Sequence, residues 1–373
     1  MTKLDSSIKT ALIFAGVIIV AIVGISAWLS TLETEFEPNS THDDNQLQTT
    51  TIDKSKFKKA PKIVGIAEYI NTTPEQLEKD IENKVVLYDI WTYSCINCIR
   101  TLPYITAWNE KYSDDGLLII GIHSPEFEFE KDLNNVKMAV EKHGIDYPVV
   151  LDNDWETWKA FENRYWPRKF IADIEGYIRY DHIGEGAYEE TEKVIQQLLK
   201  ERAMNLGLQV ASAQQLVDLE EFEHSTFRTP ELYFGYKFAQ GRNQLGNSEG
   251  FHPNQDISYT MPEMLEQHHF YLEGTWTNLE GSMKLVSDSG IIKLPYHAKE
   301  VNIVTANPAT LRIQLDGTLL PSEYMGLDIT SEGILYTSED GLYNIIKSDI
   351  ASAHLLEIYI DKPGFEIYTF TFG

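Results

Sequence analysis

Two cysteines occur in this chain of 373 residues, Cys95 and Cys98, and they stand three positions apart. Thiol–disulfide exchange needs one thiolate that attacks and a neighbouring thiol that resolves the mixed disulfide, and this spacing supplies both. The turn Cys95-Ile96-Asn97-Cys98 follows a β-branched and aromatic run and opens a helical pattern. A helix N-terminus stabilises negative charge, which favours a thiolate on Cys95. Cys98 is expected to point inward and to attack Cys95 once a mixed disulfide forms. A disulfide framework needs more cysteines spread along the chain. A mixed zinc site would need two histidines at ligand spacing, but His268 and His269 are adjacent and the others scattered. No metal is therefore expected, and no cofactor beyond the dithiol itself.

The elements that must carry this turn are legible around it. Residues 85–91 read as a buried strand, 95–112 as a helix and 117–122 as a second buried strand. Helices are expected at 128–143 and 154–163, with a short strand at 147–151 between them. Strands at 169–172 and 177–180 flank the turn Asp173-Ile174-Glu175-Gly176, and a helix over 188–202 closes the segment. Thr73 reads as an N-cap, with Leu77 and Ile81 on one face of the helix that follows. Strands alternating with helices predict an α/β domain with a largely parallel core over 61–202. After residue 227 short β-rich stretches recur between Gly, Pro, Asn and Asp turns, at 270–272, 291–294, 301–304, 311–315, 354–360 and 367–372. They predict an all-β sandwich, jelly-roll-like, over 227–373. Residues 203–226 read as a linker with a short helix.

Residues around the dithiol resemble the thioredoxin superfamily. Asp89, six residues before Cys95, matches its buried acid, and Trp91 the aromatic beside the dithiol. Pro103 matches the proline of the active-site helix, and Trp166-Pro167 the cis-proline segment opposite the cysteines. The resemblance implies that Asp89, its pKa raised by burial, takes a proton from the resolving thiol. It implies that Pro167, in cis, holds nearby backbone groups toward an extended substrate. Trp91 and Trp166 read equally well as substrate contacts or core aromatics. His123 and Glu126 follow the second strand, where active sites of such sheets gather. They are candidates to tune the thiols or bind substrate, or simply to hold the turn.

The match extends further. The string around the cysteines, the run Gly121-Ile122-His123-Ser124-Pro125-Glu126-Phe127-Glu128-Phe129-Glu130, and Gly184-Glu185-Gly186 resemble the soluble half of DipZ-type proteins, a TlpA-like thioredoxin domain. Thr229-Pro230-Glu231-Leu232-Tyr233-Phe234-Gly235 and residues 296–301 resemble the extra β-domain of that group, often called carbohydrate-binding-like. The resemblance implies a reductase of protein disulfides. Thr101 departs from the glutamate that many cytochrome c maturation relatives carry there. The group's polytopic electron-carrying half has no counterpart in this sequence, so the expected electron source is a separate integral-membrane thiol carrier.

The remaining features bound the setting. Fifty-seven acidic against 31 basic residues give a formal charge of −26, which argues against a nucleic-acid partner. Residues 11–29 are uncharged and almost wholly apolar, close to the ~20 residues a spanning helix needs. Lys3 and Lys9 precede them and acidic residues follow, which predicts an N-terminal transmembrane helix within 1–29 and the remainder outside the cytoplasm. A cleaved signal peptide gives the same placement. Residues 30–60 read as a flexible linker. Two other functions are open. Thr92-Tyr93-Ser94-Cys95 fits part of a thiol peroxidase motif, although Tyr88 stands where its proline belongs. The β-domain could bind a glycan or protein ligand, with Tyr271, Trp276 and Tyr296 stacking on sugars or packing in its core.

Overall fold

The computed structural model describes residues 53–210, 215–223 and 228–373. The anchor expected within 1–29, and residues 30–52 of the expected linker, lie outside them. Among the described residues no helix is long and apolar enough to cross a membrane. Residues Lys54–Gly373 form one compact unit.

Ordered packing begins earlier than the expected boundary at 61. Lys54–Lys56 make a single 3-10 turn, and the Lys54 ammonium lies 3.0 Å from Asp173. The Ile178 N–H donates to Lys58 O at 2.8 Å, so residues 58–60 extend the sheet edge beside Tyr177 instead of hanging free.

The α/β part has strands β1 (Glu68–Ile70), β2 (Val85–Trp91), β3 (Leu117–His123), β4 (Val149–Leu151), β5 (Arg168–Ala172) and β6 (Ile178–Ile183). Its helices are α1 (Pro74–Asp80), α2 (Ile96–Tyr112), α3 (Leu133–Lys142), α4 (Glu156–Ala160) and α5 (Tyr188–Leu206). The sheet order is β1-β4-β3-β2-β5-β6. The β2–β3 and β3–β4 pairs are parallel, and β1, β5 and β6 join antiparallel. Every residue of β2 is buried, which is why it reads as an unbroken apolar run apart from Asp89. Apolar side chains cover both faces: Ile105, Trp108 and Ile195 pack on one, Trp158, Phe161 and Phe170 on the other. The helix expected at 128–143 is split. Glu128–Lys131 is a 3-10 turn, and Asp132 then caps α3 by accepting from the Asn134 N–H.

Helix α5 runs to Leu206 and ends at Gly207, whose φ of 66° suits a residue without Cβ. The separate short helix expected in 203–226 is not found among the described residues: 203–206 are the last turn of α5, and 215–223 form no helix or strand. This irregular stretch is pinned, because the Val217 N–H donates to Glu192 Oε2 at 2.8 Å and Tyr104 Oη to Leu219 O at 2.8 Å.

The C-terminal part comprises β7 (Leu232–Tyr233), the one-turn helix α6 (Tyr236–Ala239), β8 (Asp256–Tyr259), β9 (Tyr271–Asn278), β10 (Met283–Leu285), β11 (Gly290–Ala306), β12 (Ala309–Leu315), β13 (Thr318–Leu319), β14 (Ile334–Thr337), β15 (Gly341–Ile360) and β16 (Glu366–Phe372). It differs from the expected sandwich in being one continuous antiparallel sheet. Strand β11 pairs with β9 through its first half and with β16 through its second, while β9 reaches β16 through β10. The sheet therefore folds back around a single core that includes Trp276, Leu294, Tyr296, Ile303 and Phe370. The stretches expected separately at 291–294 and 301–304 are one strand, because a bulge between Ala298 and Glu300 absorbs the irregularity without a turn. Phe127 and Phe129 after β3 pack against Tyr368, with ring centroids 4.9 Å apart in both pairs, and so join the two parts.

Candidate active site

Cys95 is the N-cap of α2, with its backbone extended (φ −79°, ψ 114°) and its Sγ accepting the Cys98 N–H at 3.4 Å. The sulfur thus occupies the place of a capping oxygen at the positive end of the helix. Cys95 is half-buried, whereas Cys98 is 1% exposed. Burial, and then the adjacent Cys95 sulfur, push the Cys98 thiol well above its ordinary pKa. One reachable sulfur at a helix N-terminus and one protonated sulfur beneath it are what attack and resolution require.

Asp89 is 1% exposed on β2, and burial raises its carboxyl to about 6, with Lys169 opposing the shift. Lys169 is its cross-strand partner in the β2–β5 register. It is fully buried and donates from Nζ to Gly184 O at 3.0 Å. Burial lowers the Lys169 pKa while Asp89 and Cys98 pull it up. Both partners are displaced toward their neutral forms, so desolvation outweighs their attraction. Asp89 Oδ1 has no hydrogen-bond partner among the described residues, leaving an acceptor behind the dithiol. The charge on Asp89 also raises the Cys98 thiol, which places the two in one electrostatic cluster.

Two buried residues hold the segment leading into Cys95. His123 Nε2 accepts the Tyr93 N–H at 3.3 Å and lies 3.3 Å from Thr92 Oγ1. Burial lowers its pKa to about 3, so the ring is neutral. His123 is fully buried between Trp91 and Tyr93. Glu130 does more. Its Oε1 accepts Ser94 Oγ–H at 2.6 Å and Ser94 N–H at 3.3 Å, and its Oε2 accepts the N–H groups of Glu126 at 2.6 Å and Phe127 at 2.8 Å. Burial raises its pKa and these donors oppose the rise. One carboxylate thus fastens the residue before Cys95 to the loop after β3. Neither Glu130 nor Lys169 stood out in the sequence, where a lone charge reads as solvated. The only available signal was Lys169 at the head of the otherwise apolar run expected as a strand at 169–172.

The other expected residues are placed as follows. Trp166-Pro167 is a cis peptide, and Pro167 O accepts the Gly184 N–H at 2.8 Å. Trp166 is half-buried, donates from Nε1 to Ser124 O at 2.9 Å, and lines the same cleft as Cys95. Trp91 is buried core. Glu126 reaches the C-terminal part, where Tyr233 Oη donates to its Oε1 at 3.0 Å. Burial first, and then the charge on Glu231, push Glu126 well above the usual carboxylate range. Pro103 lies inside α2, and the Thr101 hydroxyl donates to Asn97 O at 2.9 Å. Tyr271, Trp276 and Tyr296 are all core residues, so the sugar-stacking role considered for them does not hold.

Residues 41–199 match the Redoxin family, and 229–373 match the family described as thioredoxin-like C-terminal domain. Protein DipZ of Mycobacterium bovis is 34% identical over 318 residues, covering 84% of this chain but 43% of its own length, so the chain spans less than half of that relative. The thiol-disulfide oxidoreductase YkuV of Bacillus subtilis is 30% identical over 143 residues, 38% of this chain and 94% of that protein. A solved thioredoxin-like protein in its oxidised form is 29% identical and covers 39% of this chain and 97% of its own, with a TM-score of 0.35. With a Cys-x-x-Cys pair at the head of α2, a buried acid behind it, and a near full-length match to YkuV, the chain belongs to the thioredoxin-like thiol–disulfide oxidoreductases.

Proposed function

We propose that the chain reduces disulfides of proteins outside the cytoplasm, by exchange through Cys95 and Cys98. The observation that carries this reading is the helix-capping Cys95 sulfur above a buried, protonated Cys98. The Cys95 thiolate attacks a substrate S–S bond, forms a mixed disulfide and expels one substrate thiolate. Asp89 takes the proton of Cys98, whose sulfur then attacks Cys95 Sγ. The second substrate thiol leaves, two electrons have passed to the substrate, and Cys95–Cys98 is left as a disulfide. Cis-Pro167 and Trp166 face an extended substrate backbone, and Glu126 contributes to the same cleft. The apolar run at 11–29, with lysines before it, supports a membrane anchor and extracytoplasmic placement. In an oxidising compartment the dithiol needs re-reduction, which we assign to a separate integral-membrane thiol carrier.

The reduction potential tests the direction. Equilibration with glutathione buffers is expected to give a value near or below the roughly −270 mV of a reducing thioredoxin. A value close to the roughly −120 mV of a strong oxidant would overturn the reductase assignment.

A further inference from the structure

Cys95 does not open onto a free surface. It lies in a cleft of about 510 Å³ whose near wall includes Cys95 and Trp166, and whose far wall is built by Glu231, Tyr233, Arg242 and Phe372 of the C-terminal part. The far wall is fastened on several sides of the dithiol. Tyr233 Oη donates to Glu126 Oε1 at 3.0 Å across the cleft. Tyr93 Oη, two residues before Cys95, donates to Asp340 O at 3.0 Å. Arg100, on the first turns of α2, pairs with Glu300 at 2.8 Å. Its guanidinium stacks on Phe222, 3.5 Å from the ring centroid. The aromatic block of Phe127, Phe238 and Tyr368 fills the space beneath.

The size of the cleft limits what can meet the sulfur. About 510 Å³ falls within the ~300–1,000 Å³ of small-ligand pockets. Even a transient redox encounter between folded faces spreads over several hundred Å² on each partner, up to about 600 Å². Such a face meets the far wall before it meets Cys95. A single extended chain fits, and the lining matches one. Trp166 and Phe372 offer apolar contact, while Glu231 and Arg242 offer charges of both signs to side chains and backbone.

Resting on the reductase reading above, we propose that the β-domain is the second wall of the substrate site, and that it restricts the enzyme to disulfides carried on extended, unfolded polypeptide.

The test uses the chain with its dithiol reduced. Three substrates are compared: hydroxyethyl disulfide, a linear peptide with a disulfide partner on its central cysteine, and a stably folded protein with a surface disulfide. The peptide is expected to react at least about tenfold faster than the folded protein, a ratio that should disappear once that protein is unfolded in the same assay. The double variant E231Q/R242A is expected to lower the peptide-to-hydroxyethyl-disulfide ratio of kcat/KM by about tenfold through KM, the scale of one or two lost charged contacts. Equal rates for the folded and unfolded forms of the protein would overturn the proposal, as would an unchanged ratio in a variant that keeps its circular dichroism spectrum. Failure of the wild type to react with any of the three would sink the reductase reading instead.

Discussion

Asp89 on β2 stands directly opposite Lys169 on β5, both side chains almost fully buried, with the Cys98 thiol in the same electrostatic cluster. In the mechanism proposed above, the pair supplies the dithiol with its proton acceptor. A carboxyl held at about 6 is ionised at neutral pH yet far more basic than an exposed aspartate.

The Asp89 carboxyl is raised from 3.8 to about 6 on folding, so the native state binds its proton more tightly than the unfolded chain. The corresponding stability is fully present below about pH 3.8 and is lost as the pH rises through about 6. At pH 7 the charged carboxylate therefore costs on the order of 3 kcal/mol, a figure in which the attraction of Lys169 is already included. Asp89→Asn should remove this slope. Urea unfolding of both proteins should show the variant gaining on the wild type between pH 4 and pH 7. Taking the difference cancels the opposite trend from neutral, buried His123. A difference that stays flat across that range would mean Asp89 does not titrate there.

The same substitution should slow resolution of the mixed disulfide. General-base assistance contributes roughly 10²–10⁴-fold, with solvent able to replace part of it. In the wild type the resolving step should weaken as the pH falls through about 6, where Asp89 takes up its proton. Stopped-flow release of the second thiol should show this profile in the wild type and not in Asp89→Asn. Matching profiles would remove Asp89 from the proton path.

The two sulfurs should separate cleanly by substitution. Cys98→Ser leaves an attacking thiolate with no resolving partner, so mixed disulfides should accumulate on Cys95 and be visible on non-reducing gels. Cys95→Ser removes the half-buried sulfur and should abolish exchange. Trapping by the Cys95 variant and none by the Cys98 variant would reverse the two roles.

Glu130 should matter for both stability and rate. Its carboxylate takes four donors, from Ser94 and from the Glu126 and Phe127 backbone, inside the protein. Glu130→Ala strands these donors, each worth about 1–3 kcal/mol when buried and unpaired. We expect a loss of about 3 kcal/mol, softened by whatever water enters the space, and slower alkylation of Cys95 by iodoacetamide as the turn loosens. A variant as stable and as reactive as the wild type would show that Ser94 is held by other means.

The sequence was most legible where one short-range rule suffices. The strand expected at 85–91 matches β2 at both ends, because buried strands need an unbroken β-branched run. The helix expected from residue 95 begins with Cys95 as its cap. It was least legible where distant segments decide the outcome. Nothing local tells Lys169 that Asp89 will face it, or Glu130 that it will fasten Ser94. The long strands β11 and β15 appeared as fragments because bulges look like breaks until the partner strand is known. Tyr233 stood out only as part of the stretch resembling the β-domain, and its contact with Glu126 spans 107 positions.

The last prediction concerns the electron supply. Residues 11–29 and the lysines before them place the catalytic part outside the cytoplasm in the reading proposed above. There a dithiol drifts to the disulfide unless electrons arrive across the membrane. A protein thiol carrier must then meet Cys95, the half-buried sulfur at the head of α2. In cells expressing Cys98→Ser, acid quenching followed by purification should yield an integral-membrane protein joined to Cys95 through a disulfide. Deleting that carrier should leave the wild-type dithiol oxidised, as read by alkylation with a mass-shifting maleimide. The cleft limits this partner in the same way as a substrate, so its reactive cysteine should sit on an extended loop. A dithiol that stayed reduced with no such carrier, or catalytic domains shielded from protease in intact spheroplasts, would refute this account of the supply.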